Sequence, residues 1–219
     1  MKDLTLTQAY LLCLLNEKGK VPAMDVDGQV CLVAGGLVEL WLDGCIEIDQ
    51  KKVTALKALP ADKEHLRTLY AYVSQSKPVS LEKVVEGFHY SVTNRLFNEL
   101  LEGIGDSLNR AGQVALGQGG LMGDKKTYVP QKDAVNAVVG QVREELLEDG
   151  EMTQEVAALA ALLERSGAMK TYFSKFELKQ MKERLKAVMD APAGKVIKEM
   201  ADALESLITV MTSFIVLPH

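Results

Sequence analysis

The sequence predicts a mainly α-helical protein, a single compact helical domain over residues 1–219 with small β-hairpins. Three observations carry that expectation. Apolar residues recur every three or four positions through most of the chain, as buried helical stripes require. Two short strand-like stretches sit beside turn signals, at Asp43-Gly44 and in the glycine-rich run from Gly117. Composition is 47% hydrophobic and 25% charged over 219 residues, enough apolar surface to close one sizeable core.

The first helix is expected over residues 8–17. Thr5 or Thr7 caps it, Leu11, Leu12 and Leu15 face inward, and Gly19 follows as a stop. A second helix, 28–42, is apolar around most of its circumference, which marks it as central. Gly35 and Gly36 inside it each cost about 1 kcal/mol relative to alanine, so another backbone is expected to pass close by. Asp43-Gly44 turns the chain into a strand at 45–48, with 53–56 returning beside it.

Pro60 opens a new section. Helices are expected at 62–74, 80–85 and 92–109, followed by a hairpin of 113–116 with 126–129. Four more helices complete the chain. One carries Val135, Val138, Val139 and Val142; others begin at Thr153 and Ser174; the last runs from Val196 to about Met211. Short links between them give one α-rich body.

The net charge is −5 and the isoelectric point is near 5.4. The global field therefore opposes nucleic acid and anionic bilayers, and any docking on them must use a local patch. The three cysteines, Cys13, Cys31 and Cys45, form no CxxC pair and lie in apolar stretches. They read as small buried hydrophobes in a reducing compartment. No signal peptide is recognised around Lys2 and Asp3, and no apolar run approaches the roughly 20 residues that span a bilayer. The expected location is cytoplasmic, with any membrane contact peripheral on the cytoplasmic face.

Catalytic and cofactor signatures are missing. His65, His89 and His219 have no metal-ligand spacing. Glu144, Glu145, Glu148 and Asp149 read as a solvated face. The run Gly117–Gly123 lacks the GK[ST] ending of a P-loop, and Gly103 with Gly105 is no dinucleotide fingerprint. His89, Ser91 and Asp106 do not make a triad. The expectation is a protein without cofactor or metal and not an enzyme.

Two basic features stand out. Lys170, Lys175, Lys179, Lys182, Arg184 and Lys186 cluster late in the chain. Lys175, Lys179, Lys182 and Lys186 share one helical face, diluted by Glu177 and Glu183, and read as a solvated face. In the glycine-rich hairpin, Leu121 and Met122 make a small apolar tip, with Lys125 and Lys126 placed to meet phosphates. Two such side chains offer roughly 1.5–3 kcal/mol each if fully buried. A lysine adds about 1 kcal/mol near an anionic surface. One copy would bind weakly, and a homo-oligomer could use several. The same tip also reads as a mobile loop or a subunit contact.

Leu4-Thr5-Leu6-Thr7, Tyr10-Leu11-Leu12-Cys13-Leu14-Leu15 and Glu17-Lys18-Gly19 resemble the start of the Golgi phosphoprotein 3 family. Gly35-Gly36-Leu37-Val38-Glu39-Leu40, then Asp43-Gly44-Cys45-Ile46, is similar to its glycine pair, apolar-Glu-Leu step and short strand. The order of the later helix, Ala111-Gly112, hairpin and helical half also matches. The resemblance implies a Golgi phosphoprotein 3-like fold and a peripheral membrane adaptor. Eukaryotic members bind phosphatidylinositol 4-phosphate and hold glycosyltransferases by their cytosolic tails. Partners so implied are an anionic phospholipid or phosphoinositide, basic tails of membrane proteins, and further copies of the chain. The N-terminal extension of eukaryotic members is absent, which implies a bacterial relative.

The family's headgroup residues are a tryptophan before the glycine pair and arginines beside it and on the later helix. Carried over, they fall near Asp25, on Ala34, and near Asn98 and Leu101. Phosphate wants convergent Arg or Lys donors, which these residues do not supply. Arg95, one turn from Asn98, is the remaining cation. Trp41 follows the glycines within an apolar run and reads as core. The alternatives are a winged-helix-like nucleic-acid binder, suggested by helix, helix and hairpin, and an interaction module without lipid binding. The negative net charge and poorly basic helices argue against nucleic acid.

Overall fold

The computed structural model describes residues 4–22, 25–89, 94–120, 125–148, 152–191 and 194–216. Helix α1 (Leu6–Leu14) lies at the centre, with all nine residues buried. It packs against α2 (Val26–Leu42), α5 (Arg95–Arg110), α6 (Lys132–Leu147) and α7 (Gln154–Arg165). The buried residues form one cluster that runs from Leu6 to Met211.

Local chemistry sets the ends of α1. The Gln8 side chain accepts the Thr5 backbone N–H at 2.9 Å. The Thr7 hydroxyl is taken by Glu39 instead, so Thr5 is the cap and the helix starts two residues before the expected position. It also ends early. Leu15 is extended, and the Asn16 side chain accepts the N–H groups of Lys18 and Lys20. The turn then presses on the later hairpin. Gly19 has φ +70°, and a Cβ there would sit 2.6 Å from the Tyr128 and Val129 backbone.

Helix α2 is the second central element, capped by Asp25, whose carboxylate accepts the Gly28 N–H at 2.8 Å. What approaches its glycine pair differs from expectation. The Leu162 side chain fills the space over Gly35 and the Leu69 side chain that over Gly36, with the Thr7 methyl group of α1 at 3.8–3.9 Å from both positions, so the nearest atoms are side chains. Backbone contact occurs instead at Gly103, where a Cβ would lie 2.8 Å from the His65 carbonyl oxygen.

Strands β1 (Ile46–Asp49) and β2 (Lys52–Ala55) pair antiparallel, from Ile46↔Ala55 to Asp49↔Lys52. The unexpected short strand β3 (Val79–Ser80) adds to β2. The helix expected over 62–74 is divided. A 3₁₀ segment, Ala61–Leu66, carries Lys63 and His65, and α3 (Arg67–Val73) continues it. Helix α4 (Leu81–His89) precedes α5, whose buried stripe is Phe97, Leu100, Ile104 and Leu108. The expected α5 start at residue 92 lies outside the described residues, as does Ser91.

Strands β4 (Val114–Gly119) and β5 (Lys125–Pro130) form the second hairpin, in register from Val114↔Pro130 to Gly119↔Lys125. The C-terminal part is helical as expected. Short α8 (Met169–Tyr172) leads into α9 (Lys175–Asp190), and α10 (Lys195–Val216) packs on α2, α4, α7 and α9. No helix among the described residues is long and apolar enough to cross a membrane.

Candidate functional site

Three regions bear on function. The first lies where the family's headgroup positions fall. Ala34 is fully buried in α2, with no surface to offer a ligand. Asn98 is exposed on α5 and Leu101 is half-buried there. Arg95 is exposed, and its guanidinium donates to Glu99 at 3.1 Å, one turn along the same helix. Asp25 serves as the α2 cap. Close by, Val30, Val33, Val85, Phe88 and Phe97 line a narrow apolar seam with Gln29, His89 and Met211. Apolar walls and one exposed arginine do not make a convergent cationic pocket.

The second region is the β4–β5 hairpin. Its tip residues Leu121 and Met122 lie outside the described residues. Lys125 is exposed at the base of the tip. Lys126 turns toward the body and donates to Asp106 at 3.2 Å. The same carboxylate accepts the Tyr128 hydroxyl at 2.9 Å.

The third region is a cleft that the sequence reading did not locate. Its floor is Glu39, a carboxylate buried inside the apolar run of α2. The Thr7 N–H and hydroxyl donate to one oxygen at 2.9 and 2.8 Å. His65 Nε2 and Lys63 Nζ contact the other at 3.0 and 3.2 Å. Burial alone pushes this carboxyl up, but the hydrogen bond and charge of His65, with Lys63 and Thr7, overcome it and hold it at about 2. Lys63 also reaches Asp43 at 2.7 Å. Burial works against its charge, and Glu39 and Asp43 together raise its pKa.

Above this network opens a cleft of about 400 Å³, lined by Leu4, Leu42, Asp43, Gln141, Thr153 and Glu155 among others. Its lining holds three carboxylates, Glu39, Asp43 and Glu155, against one ammonium, Lys63. Leu42, 41% exposed, supplies an apolar shoulder. The signal for this site was a lone Glu within the stretch from Leu37 to Trp41, since an ionised side chain in such a run must find partners.

The cysteines and Trp41 lie in the core or against it. Cys13, Cys31 and Cys45 are buried free thiols, and burial pushes the first two up to about 12. Trp41 is half-buried, at the edge of a groove between α2 and α10. Among the described residues no group of three or more His, Cys, Asp or Glu could hold a metal ion.

An α-rich body built on a buried first helix, with two small hairpins, is the architecture at hand. The Golgi phosphoprotein 3 (GPP34) family model matches residues 6–205, and the chain belongs to that family. No curated protein matches it.

Proposed function

We propose that this chain is a non-catalytic peripheral membrane adaptor that holds a basic segment of a client protein in the cleft above Glu39. The cleft carries the reading. Its lining has a net charge of −2, three carboxylates less one ammonium, beside the apolar Leu4 and Leu42. Such a surface suits a lysine or arginine flanked by apolar residues. Glu39 is fully engaged inside and Asp43 is shared with Lys63, so the exposed Glu155 is the carboxylate that meets the incoming cation first, with Asp43 beside it.

Membrane attachment by charge, without a specific phosphoinositide pocket, completes the reading. Family kinship supports it. The buried Ala34, the half-buried Leu101 and the ion-paired Arg95 weigh against headgroup selection.

Two measurements test this. A fluorescent peptide with an apolar residue beside two arginines should bind, and Asp43→Asn with Glu155→Gln should weaken it by about tenfold, the scale of 1.4 kcal/mol. Equal binding by both proteins would remove the cleft from the account. Vesicle flotation should show the same attachment to generic anionic and phosphatidylinositol 4-phosphate vesicles. Attachment to the phosphoinositide alone would mean a headgroup pocket elsewhere.

A further inference from the structure

Helix α9 begins with two residues that helix physics and water disfavour. Lys175 is the first residue after the cap, where the helix dipole repels a cation. Phe176 follows it and is 69% exposed, the most exposed large hydrophobic residue among those described. Local rules broken without local gain point to a use for the surface.

This helix start is firmly held. The Ser174 hydroxyl and N–H form a reciprocal capping box with Glu177, at 3.3 and 2.8 Å. Arg143 Nε donates to Glu177 at 2.9 Å, a second guanidinium nitrogen donates to the Tyr172 carbonyl at 3.3 Å, and the guanidinium stacks 5.0 Å above the Phe173 ring. Phe176 is therefore presented outward by a pinned backbone rather than by a frayed end.

The same clamp changes the charge of the face. Glu177, which by sequence dilutes the lysines, is occupied by Arg143 and the cap. Glu183, 3.9 Å from Lys179, and Glu164, paired with Lys182, are the acids that remain on this side. Lys175, Lys179 and Lys186 are exposed, and they lie within about 40° of one another around the axis, with Phe176 about 60° beyond Lys179. Residues 170–186 hold six basic and two acidic side chains, a net +4. The whole chain is −5, so the remainder is −9. On the face itself Lys175, Lys179 and Lys186 stand against Glu183, a local positive patch on an acidic chain, and such a patch turns one side of a protein toward an anionic surface.

We propose that the Lys175–Phe176–Lys179–Lys186 face of α9 is a docking surface for an anionic lipid bilayer, with Phe176 entering the headgroup boundary. This rests on the peripheral-membrane reading above and names its contact. A bilayer fits better than nucleic acid. Lysine ammonium groups act as point charges on phosphate, and a single aromatic anchor serves an interface while offering no platform for successive bases.

Flotation with phosphatidylcholine vesicles and with vesicles containing phosphatidylserine, in moderate salt, tests the proposal. Wild type should float with the anionic vesicles only. Phe176→Ser should lower the bound fraction severalfold, and Lys175→Glu with Lys179→Glu should abolish binding, both with unchanged melting temperature. Phe176→Trp should add a blue-shifted emission on anionic vesicles that the native Trp41 does not give. Wild-type binding unaffected by these changes would overturn the α9 assignment and leave the adaptor reading standing on the hairpin. No wild-type binding to either vesicle would overturn both. Single-stranded RNA binding lost in the same variants, without vesicle binding, would assign the face to nucleic acid instead.

Discussion

The Glu39 carboxylate receives both the backbone N–H and the hydroxyl of Thr7, at 2.9 and 2.8 Å, and so ties α1 to α2. Glu39→Gln removes the charge that Lys63 and His65 face and replaces one acceptor oxygen by a donor. Breaking a buried network in this way should cost about 3 kcal/mol, read as a lowered urea midpoint with an unchanged slope.

The same residue sets an acid limb. Its folded pKa of about 2 lies below the ordinary 4.5, so the unfolded chain takes up the proton first as pH falls. The stability it supplies is complete above about 4.5 and disappears on the way down to about 2. Denaturant melts between these values should fall more steeply for wild type than for Glu39→Gln. A residual slope belongs to Glu177, held near 2 by the Ser174 N–H and Arg143, and to Glu64, lowered by its hydrogen bond with Arg67.

Gly19 and Gly112 share φ +70°, but only Gly19 faces a backbone at 2.6 Å; a Cβ at Gly112 meets nothing within 4 Å. Gly112→Ala should cost about 1 kcal/mol, the conformational penalty alone, and Gly19→Ala clearly more, about 2 kcal/mol or above. Thermal melts of the two variants separate strain from collision.

The thiols should be silent. Cys13 and Cys31 are buried with pKa values of about 12, and Cys45 is fully buried. Ellman's reagent at pH 8 should label none of the three in the native protein and all three in guanidinium.

Arg143→Ala should release the start of α9. The pair with Glu177 is partly exposed and its contribution is modest, so with the Phe173 stacking lost the total is about 1–2 kcal/mol. Amide exchange should quicken at Lys175–Lys179 and remain slow in α1.

The helical order was legible because each stripe repeats at helical spacing. Ser174 and Thr153 announced their helices correctly, and each side chain accepts the N–H three residues on, from Glu177 and Val156. Thr5 and Thr7 could not be separated locally, because the choice depends on Glu39, 32 residues away from Thr7. β3 is two residues long and exists only by pairing with β2, so no periodicity could disclose it. The cleft was hidden for a related reason: Glu39 and Asp43 lie one turn apart at the end of α2, but Lys63 and Glu155 come from the 3₁₀ segment and α7. Phe176 lies off the side of α9 where Met181 is buried and Leu178, Leu185 and Val188 pack against the core, and a stripe-based reading passes over such a residue.

The central place of α1 has a consequence for synthesis. Tyr172 donates its hydroxyl to the carbonyl of Cys13, 159 residues earlier, and α7 covers the same helix. At ordinary elongation rates, α1 waits roughly 8–30 s on the ribosome before those partners exist. Throughout that wait, nine residues destined for burial have no final neighbour on one side. Helix α1 can therefore settle on α2 and α5 first, and its burial is completed only when the C-terminal third emerges.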